Sequence, residues 1–272
     1  MMKTTELKNC NLLKNNLDIE SATMLAKIGT ERGIMLSGMG RDQMKADFSS
    51  QSLQPADAIL IWSDLQFMAV LTTLLLYSNN IGDDGAKAIV EALKVNTVLT
   101  KLDLQGNRIG VDGAKAIAEA LKVNKVLTYL SLFNNNIRED GAKAIAEALK
   151  VNKVLTKLNL AINKIGDEGA KAIAEALKVN SVLTTLNLQE NRIGDDGAKA
   201  IPEALKVNPV LTELNLGLNT IGPEGAKAIA EALKVNLVLT KLDLKYNRNL
   251  GDAGEKAVRD AVKDRSGFVL EL

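Results

Sequence analysis

From Leu71 onward the chain repeats itself every 28 residues: LTTLLLYSNNIGDDGAKAIVEALKVNTV begins at Leu71, and copies begin at Leu99, Leu127, Leu155, Leu183, Leu211 and Leu239. A fixed period of this length marks a stacked array, in which each unit has one apolar face that only its neighbours can bury. Each unit reads as a short strand, LTxLxL, then Asn-x-Ile-Gly, then a helix, GAKAIAEALK, then a returning loop, VNxV. In the strand Leu130 and Leu132 alternate with Ser131, so one side faces a core and the other faces solvent. In the helix Ala142, Ile145, Ala146 and Leu149 share a face, and Lys143 and Glu147 are spaced to pair on the opposite one.

Equal strand–helix units predict parallel strands lying side by side, joined by right-handed crossovers. Strands stack at about 4.8 Å and helices at about 8–10 Å, so the array is predicted to bend. The expected fold is an α/β solenoid shaped as a horseshoe, with the parallel β-sheet on the concave face and α-helices on the convex face. Asn79, Asn107, Asn135, Asn163, Asn191, Asn219 and Asn247 stand where strand gives way to loop, a place for a buried amide to satisfy stranded backbone groups. The glycine after Ile81, Ile109, Ile165, Ile193 and Ile221, replaced by Arg138 in the third unit, predicts an unusual backbone angle. Acidic pairs such as Asp83–Asp84 and Asp195–Asp196 are expected to cap their own helices and complement the helix dipole. Pro202, inside the fifth helix, predicts a kink or a widened turn.

The pattern LxxLxLxxNxIGxxGAxxIxxAL, carried across residues 71–267, resembles the leucine-rich repeats of the ribonuclease-inhibitor type. Similar units occur in NOD-like receptors and Ran GTPase-activating proteins. The resemblance implies a curved protein-interaction scaffold with no shared catalytic chemistry. The chain departs from each relative: it has no GxxxxGK[ST], it ends soon after its seventh unit without the acidic tail of Ran activators, and it lacks the abundant cysteine of ribonuclease inhibitors.

End units of a solenoid must shield its apolar flanks, and both ends diverge from the repeat. Residues 1–42 read as a tail and helical cap, with Leu17, Met24, Leu25 and Ile28 at helical spacing. Residues 43–70 read as a degenerate capping repeat: Ala46 and Phe48 take inward strand places, and Pro55 aligns with Pro223 at a first helical turn. Seven repeats fill 71–267, and Phe268–Leu272 is expected to close the array as a strand.

Composition narrows the function. Histidine is absent, which removes the usual neutral-pH general base and every Ser/His or Cys/His arrangement. No catalytic, cofactor-binding or metal-ligating set is legible, and an enzyme is not expected. The net charge of +1 gives no long-range pull toward nucleic acid or an anionic membrane. The N-terminal residues carry no secretory signal pattern, and Cys10 is the single cysteine, so the cytoplasm is the expected location.

The repeats differ from one another chiefly on the concave lining. All three tyrosines fall there, and Tyr77, Tyr129, Phe133, Ile162, Leu218 and Tyr246 are the candidate contacts for another protein. Tyr129, Phe133 and Ile162 are expected to form one cluster. The lining sums to zero charge, with Lys101, Lys157, Lys241 and Lys245 against Asp103, Asp243, Glu190 and Glu213. Asn159, Asn187 and Asn215 share one outward place and suggest an amide ladder. Arg108, Arg192 and Arg248 share the place after the Asn, with Arg138 nearby, which keeps a second reading open, regulation of a small GTPase. A third reading is an amplified or engineered array with no particular partner.

Overall fold

The computed structural model describes residues 7–272, so the first six residues of the N-terminal tail lie outside the described residues. Among the described residues nine strands form one parallel sheet in chain order. They are β1 (Lys45–Asp47), β2 (Thr73–Leu75), β3 (Lys101–Asp103), β4 (Tyr129–Ser131), β5 (Lys157–Asn159), β6 (Thr185–Asn187), β7 (Glu213–Asn215), β8 (Lys241–Asp243) and β9 (Val269–Glu271). The helices are α1 (Ile19–Arg32), α2 (Pro55–Asp64), α3 (Gly82–Val95), α4 (Val111–Val123), α5 (Arg138–Val151), α6 (Gly166–Leu177), α7 (Asp195–Ala198), α8 (Ile201–Leu205), α9 (Pro223–Leu233) and α10 (Gly251–Val262). The sheet register places residues one repeat apart opposite each other, Leu102 beside Leu130 beside Leu158, and these leucines are buried under the helices. The core is one continuous aliphatic layer between sheet and helices. Strand spacing is about half the helix spacing, so this order curves the chain with the sheet inside.

Asparagines bolt each unit to the next. Asn163 is fully buried, and its Nδ2 donates to Leu132 O at 2.8 Å, Leu160 O at 3.0 Å and Ala161 O at 3.0 Å. Asn135 Oδ1 accepts the amides of Asn107 at 3.0 Å and Ile109 at 2.9 Å. A second row, in the VNxV loop, was not legible as structural from the repeat. Asn152 Nδ2 donates to Leu121 O of the previous helix at 2.7 Å, while its Oδ1 accepts the amides of Val154 and Leu155 at 2.9 and 2.8 Å. Thr128, Thr156 and Thr184 add a third row, each Oγ1 donating to the threonine carbonyl one unit back.

Helix starts take two forms, and the preceding unit decides which. Gly110, Gly194 and Gly222 are extended, at φ −97°, −98° and −100°, and only Gly82, Gly166, Gly251 and Arg138 are left-handed, so the predicted unusual angle holds for part of the set. Where the previous unit carries Asp at the place after its glycine, that carboxylate reaches across. Asp83 Oδ1 accepts the amides of Gly110 at 2.6 Å and Gly113 at 2.9 Å, and Asp167 does the same for Gly194 and Gly197. Asp83 and Asp195 therefore cap the helix of the next unit, not their own. Where the previous unit has Val111, Glu139 or proline instead, no such acceptor exists. The amide then turns to the next unit's asparagine carbonyl, as in Gly82 to Asn107 and Arg138 to Asn163, both 2.9 Å. That bond turns the following residue left-handed, at Arg108, Lys164 and Arg192, whereas Asn136 and Thr220 follow extended starts and donate to Ile109 O and Ile193 O.

The expected pair of Lys143 with Glu147 does not form. Lys143 pairs with Glu139, and Glu147 pairs with Lys150 at 2.6 Å. These exposed pairs contribute little to stability. Pro202 splits its helix: α7 ends at Ala198, and Ala200 donates to Gly197 O at 3.2 Å in a tighter turn before α8 begins.

At the N-terminal end α1 buries Ala22, Ala26 and Gly29, while Met24 and Ile28 of the expected apolar face are exposed. Close approach explains the choice, since a Cβ on Gly29 would lie 2.9 Å from Ile34 O and from Leu36. The fully buried Asp64 ties this cap to α2 by accepting the amides of Leu36 and Ser37 and the Ser37 hydroxyl at 2.6 Å. Burial pushes its carboxyl above the ordinary aspartate range. At the other end β9 pairs with β8, Glu271 reaches Lys245 at 2.8 Å, and Arg265 stacks on Phe268 and donates to Leu239 O.

Candidate functional site

Each strand is three residues long, so its outward side chains divide into a row at the strand start and rows at the loop end. Tyr129 belongs to the first row, between Lys101 and Lys157 in the register. The Lys101 ammonium sits 4.9 Å from the centre of the Tyr129 ring, a cation–π contact. Burial, aided by the charge of Asp103, pushes the Tyr129 phenol above its ordinary value. Burial also raises the Asp103 carboxyl, against the pull of the Gln105 amide and Lys101. Between Tyr129 and Phe133 the outward place of Ser131 is buried, as is Ala161, which takes the place of Phe133 one unit on, so the lining is not uniformly open.

Tyr77 and Phe133 stand at the loop end, half-buried, in equivalent places two strands apart. Phe133 O accepts the Gly106 amide, and Asn134 donates to Ala161 O, both at 2.9 Å, so Ile162 lies beside Asn134 at the next strand's exit. Four residues of extended chain span about 13 Å. The expected single cluster is therefore two groups: Phe133 with Ile162 at the loop end, and Tyr129 with the lysines at the strand start.

Ile162, Leu218 and Tyr246 occupy one more row, immediately before the buried asparagine, and every residue of that row is left-handed: Ser78, Gly106, Asn134, Ile162, Glu190, Leu218 and Tyr246. Glycine and asparagine tolerate this conformation, and Ile162 is the single β-branched residue holding it among the described residues. Tyr246 is 71% exposed and Leu218 39%. Five of the six candidates thus run along the loop edge of the concave face from the first unit to the seventh, while Tyr129 stands apart at a strand start.

Asn159, Asn187 and Asn215 do not form a ladder. Each Oδ1 accepts the amide two residues along its own strand, at 3.0, 2.9 and 2.8 Å, to Ala161, Gln189 and Gly217. Asp103 and Asp243 do the same for Gln105 and Lys245. Lys164 was overlooked in the sequence although it shares the place of Arg108, one residue after the repeat asparagine. Both line an open groove of about 540 Å³ with Gly106, Asn134, Asn136 and Ile162. Among the described residues no group of three or more His, Cys, Asp or Glu stands close enough to hold a metal ion, and no helix is long and apolar enough to cross a membrane.

A family model described as "Leucine Rich repeat" matches residues 68–90, 95–118, 123–146, 151–174, 179–201, 207–230 and 235–258. Similar solved structures include "Leiomodin-1 Actin-Binding Site 2 (ABS2)", 28% identical, with 56% of this chain and 87% of that chain covered and a TM-score of 0.46. Another is the tropomodulin C-terminal domain of Caenorhabditis elegans, 16% identical, covering 55% of this chain and 91% of that one, with a TM-score of 0.45. No curated protein matches.

Proposed function

Because the chain belongs to the leucine-rich-repeat family, we propose that it is a non-catalytic scaffold of the ribonuclease-inhibitor type that binds another protein along the loop edge of its concave face. One observation carries the reading. Ile162, Leu218 and Tyr246 hold apolar side chains in a left-handed place where Gly106 and Asn134 sit without strain. Strain of about 1–2 kcal/mol per residue and exposure of apolar surface both oppose folding, and neither returns anything to the isolated array. A partner that covers them supplies the missing return. Tyr77 and Phe133 extend the same edge, and Tyr129 with Lys101 and Lys157 forms a second contact at the strand starts. The single Cys10 and the lack of any disulfide suit a reducing, cytoplasmic setting.

The test is affinity capture from a native lysate, followed by calorimetry of the captured protein against wild type and Phe133→Ala/Leu218→Ser. Binding weakened at least about thirtyfold supports the reading, as expected for residues at the centre of an interface. Equal affinity for both proteins overturns it.

A further inference from the structure

Among the described residues the groove between Arg108 and Lys164 holds two cations without a carboxylate partner, whereas several lysines elsewhere are paired. On the convex face Lys122, Lys150 and Lys178 each pair with a glutamate three residues back. On the concave face Lys241 and Lys245 both reach Glu271. Among the described residues neither Arg108 nor Lys164 makes an ion pair, and the single side-chain bond between the two is from Lys164 Nζ to Asn136 Oδ1, at 3.2 Å. Strand spacing puts their backbones about 10 Å apart, with the asparagines of the third unit as the floor between them. A carboxylate held there meets two cations and side-chain amides at once.

The backbone around the groove is largely left-handed, as it is at the equivalent places of other units. Gly106, Arg108, Asn134, Ile162 and Lys164, five of the seven residues lining the groove, are left-handed. Gly106 and Asn134 hold that conformation at little cost, whereas Arg108, Ile162 and Lys164 hold it under strain. Ile162 is shared between the groove and the apolar edge, so the cations adjoin the place where an apolar side chain of a partner would rest.

We infer that this groove receives an acidic segment of the protein partner, a carboxylate lying between Arg108 and Lys164 beside an apolar residue packed on Ile162 and Phe133. The inference rests on the protein-binding reading above and adds the chemistry of what is bound. Long cationic side chains over a shared polar floor match carboxylate acceptors by charge and by hydrogen bonding.

The test titrates hexaglutamate peptide into the isotope-labelled full chain and follows backbone amide shifts. The largest shifts are expected at Gly106, Asn134, Asn136 and Lys164, with the affinity falling several-fold between about 50 and 300 mM salt as charges are screened. Arg108→Gln/Lys164→Gln is expected to abolish these shifts while leaving the remaining spectrum in place. Shifts centred on the convex lysines, or unchanged in the double variant, overturn the inference. So does the same pattern produced by inorganic phosphate and not by hexaglutamate, which would assign the groove to a phosphate group. Phe133→Ala/Leu218→Ser is expected to keep the hexaglutamate shifts, so loss of the apolar contact and loss of the anion contact are read separately.

Discussion

Asp195 Oδ1 accepts the amides of Gly222 at 2.8 Å and Gly225 at 2.7 Å, one repeat further along the chain. A carboxylate from one unit thereby caps the helix of the next. It satisfies two amides that the helix cannot, and it opposes the positive end of the helix dipole. Asp195→Ala is expected to lower stability by about 1 kcal/mol, a loss read by urea unfolding. The converse change is more diagnostic. Val111→Asp supplies the missing acceptor beneath the third unit, and Arg138 is expected to leave its φ of 57° for the extended value near −100° seen at Gly222. A structure of that variant, with Arg138 φ as the readout, checks it.

Asn163 carries three donated bonds in full burial. Asn163→Ala strands the carbonyls of Leu132 and Leu160 and is expected to cost about 3 kcal/mol or more. Stability in an array propagates through neighbouring interfaces, so hydrogen exchange should rise first in the third and fourth units. Uniform exchange along the chain would contradict this.

Ile162→Gly is expected to stabilise the isolated protein by about 1 kcal/mol, because relief of the left-handed strain outweighs the loss of a half-buried side chain. The same change is expected to weaken the partner, a trade of binding against stability. Thermal unfolding and calorimetry together measure both signs.

Burial raises Asp103, so the folded chain binds a proton there more readily than the unfolded chain, whose aspartate keeps an ordinary value near 3.8. The contribution is full below that value and is lost as pH rises through the higher folded value. Asn already fills this place at residues 159, 187 and 215 and accepts the same strand amide. Asp103→Asn is therefore expected to raise stability at neutral pH, with a gain that vanishes in acid. It should also lower the Tyr129 phenol, since the Asp103 charge helps to hold that group up. Urea unfolding across pH and a phenolate absorbance titration are the measurements.

Pro202 removes one helical amide bond and divides α7 from α8. Pro202→Ala is expected to join them into one helix like α6 and to gain about 1–3 kcal/mol.

The period alone made the fold legible. Leu130 and Leu132 recur at every repeat and alternate with polar residues, which fixes strand, face and parallel order together. The asparagines at 163 and 191 were legible because a fixed polar residue at a strand's end answers a backbone need. The target of Asp83 was not, because its partner Gly110 lies 27 residues away and the reach depends on how the loops stack. The grouping of Tyr129 with Phe133 misread the strand, which ends at Ser131 and leaves the two rings at opposite ends of the sheet face. Nor did the α1 pattern show that Gly29 forces the small residues inward. Left-handed geometry at Ile162 could have been suspected from Gly106 and Asn134 in the same place, the two residue types that favour it.

The central claim is that the loop edge of the concave face is where a partner binds, and calorimetry of the captured partner against Phe133→Ala/Leu218→Ser measures it most directly. The account predicts affinity reduced at least about thirtyfold with the unfolding midpoint unchanged. Full affinity retained by that variant, together with loss of binding on substitution of the convex Lys143 and Glu147, would contradict it.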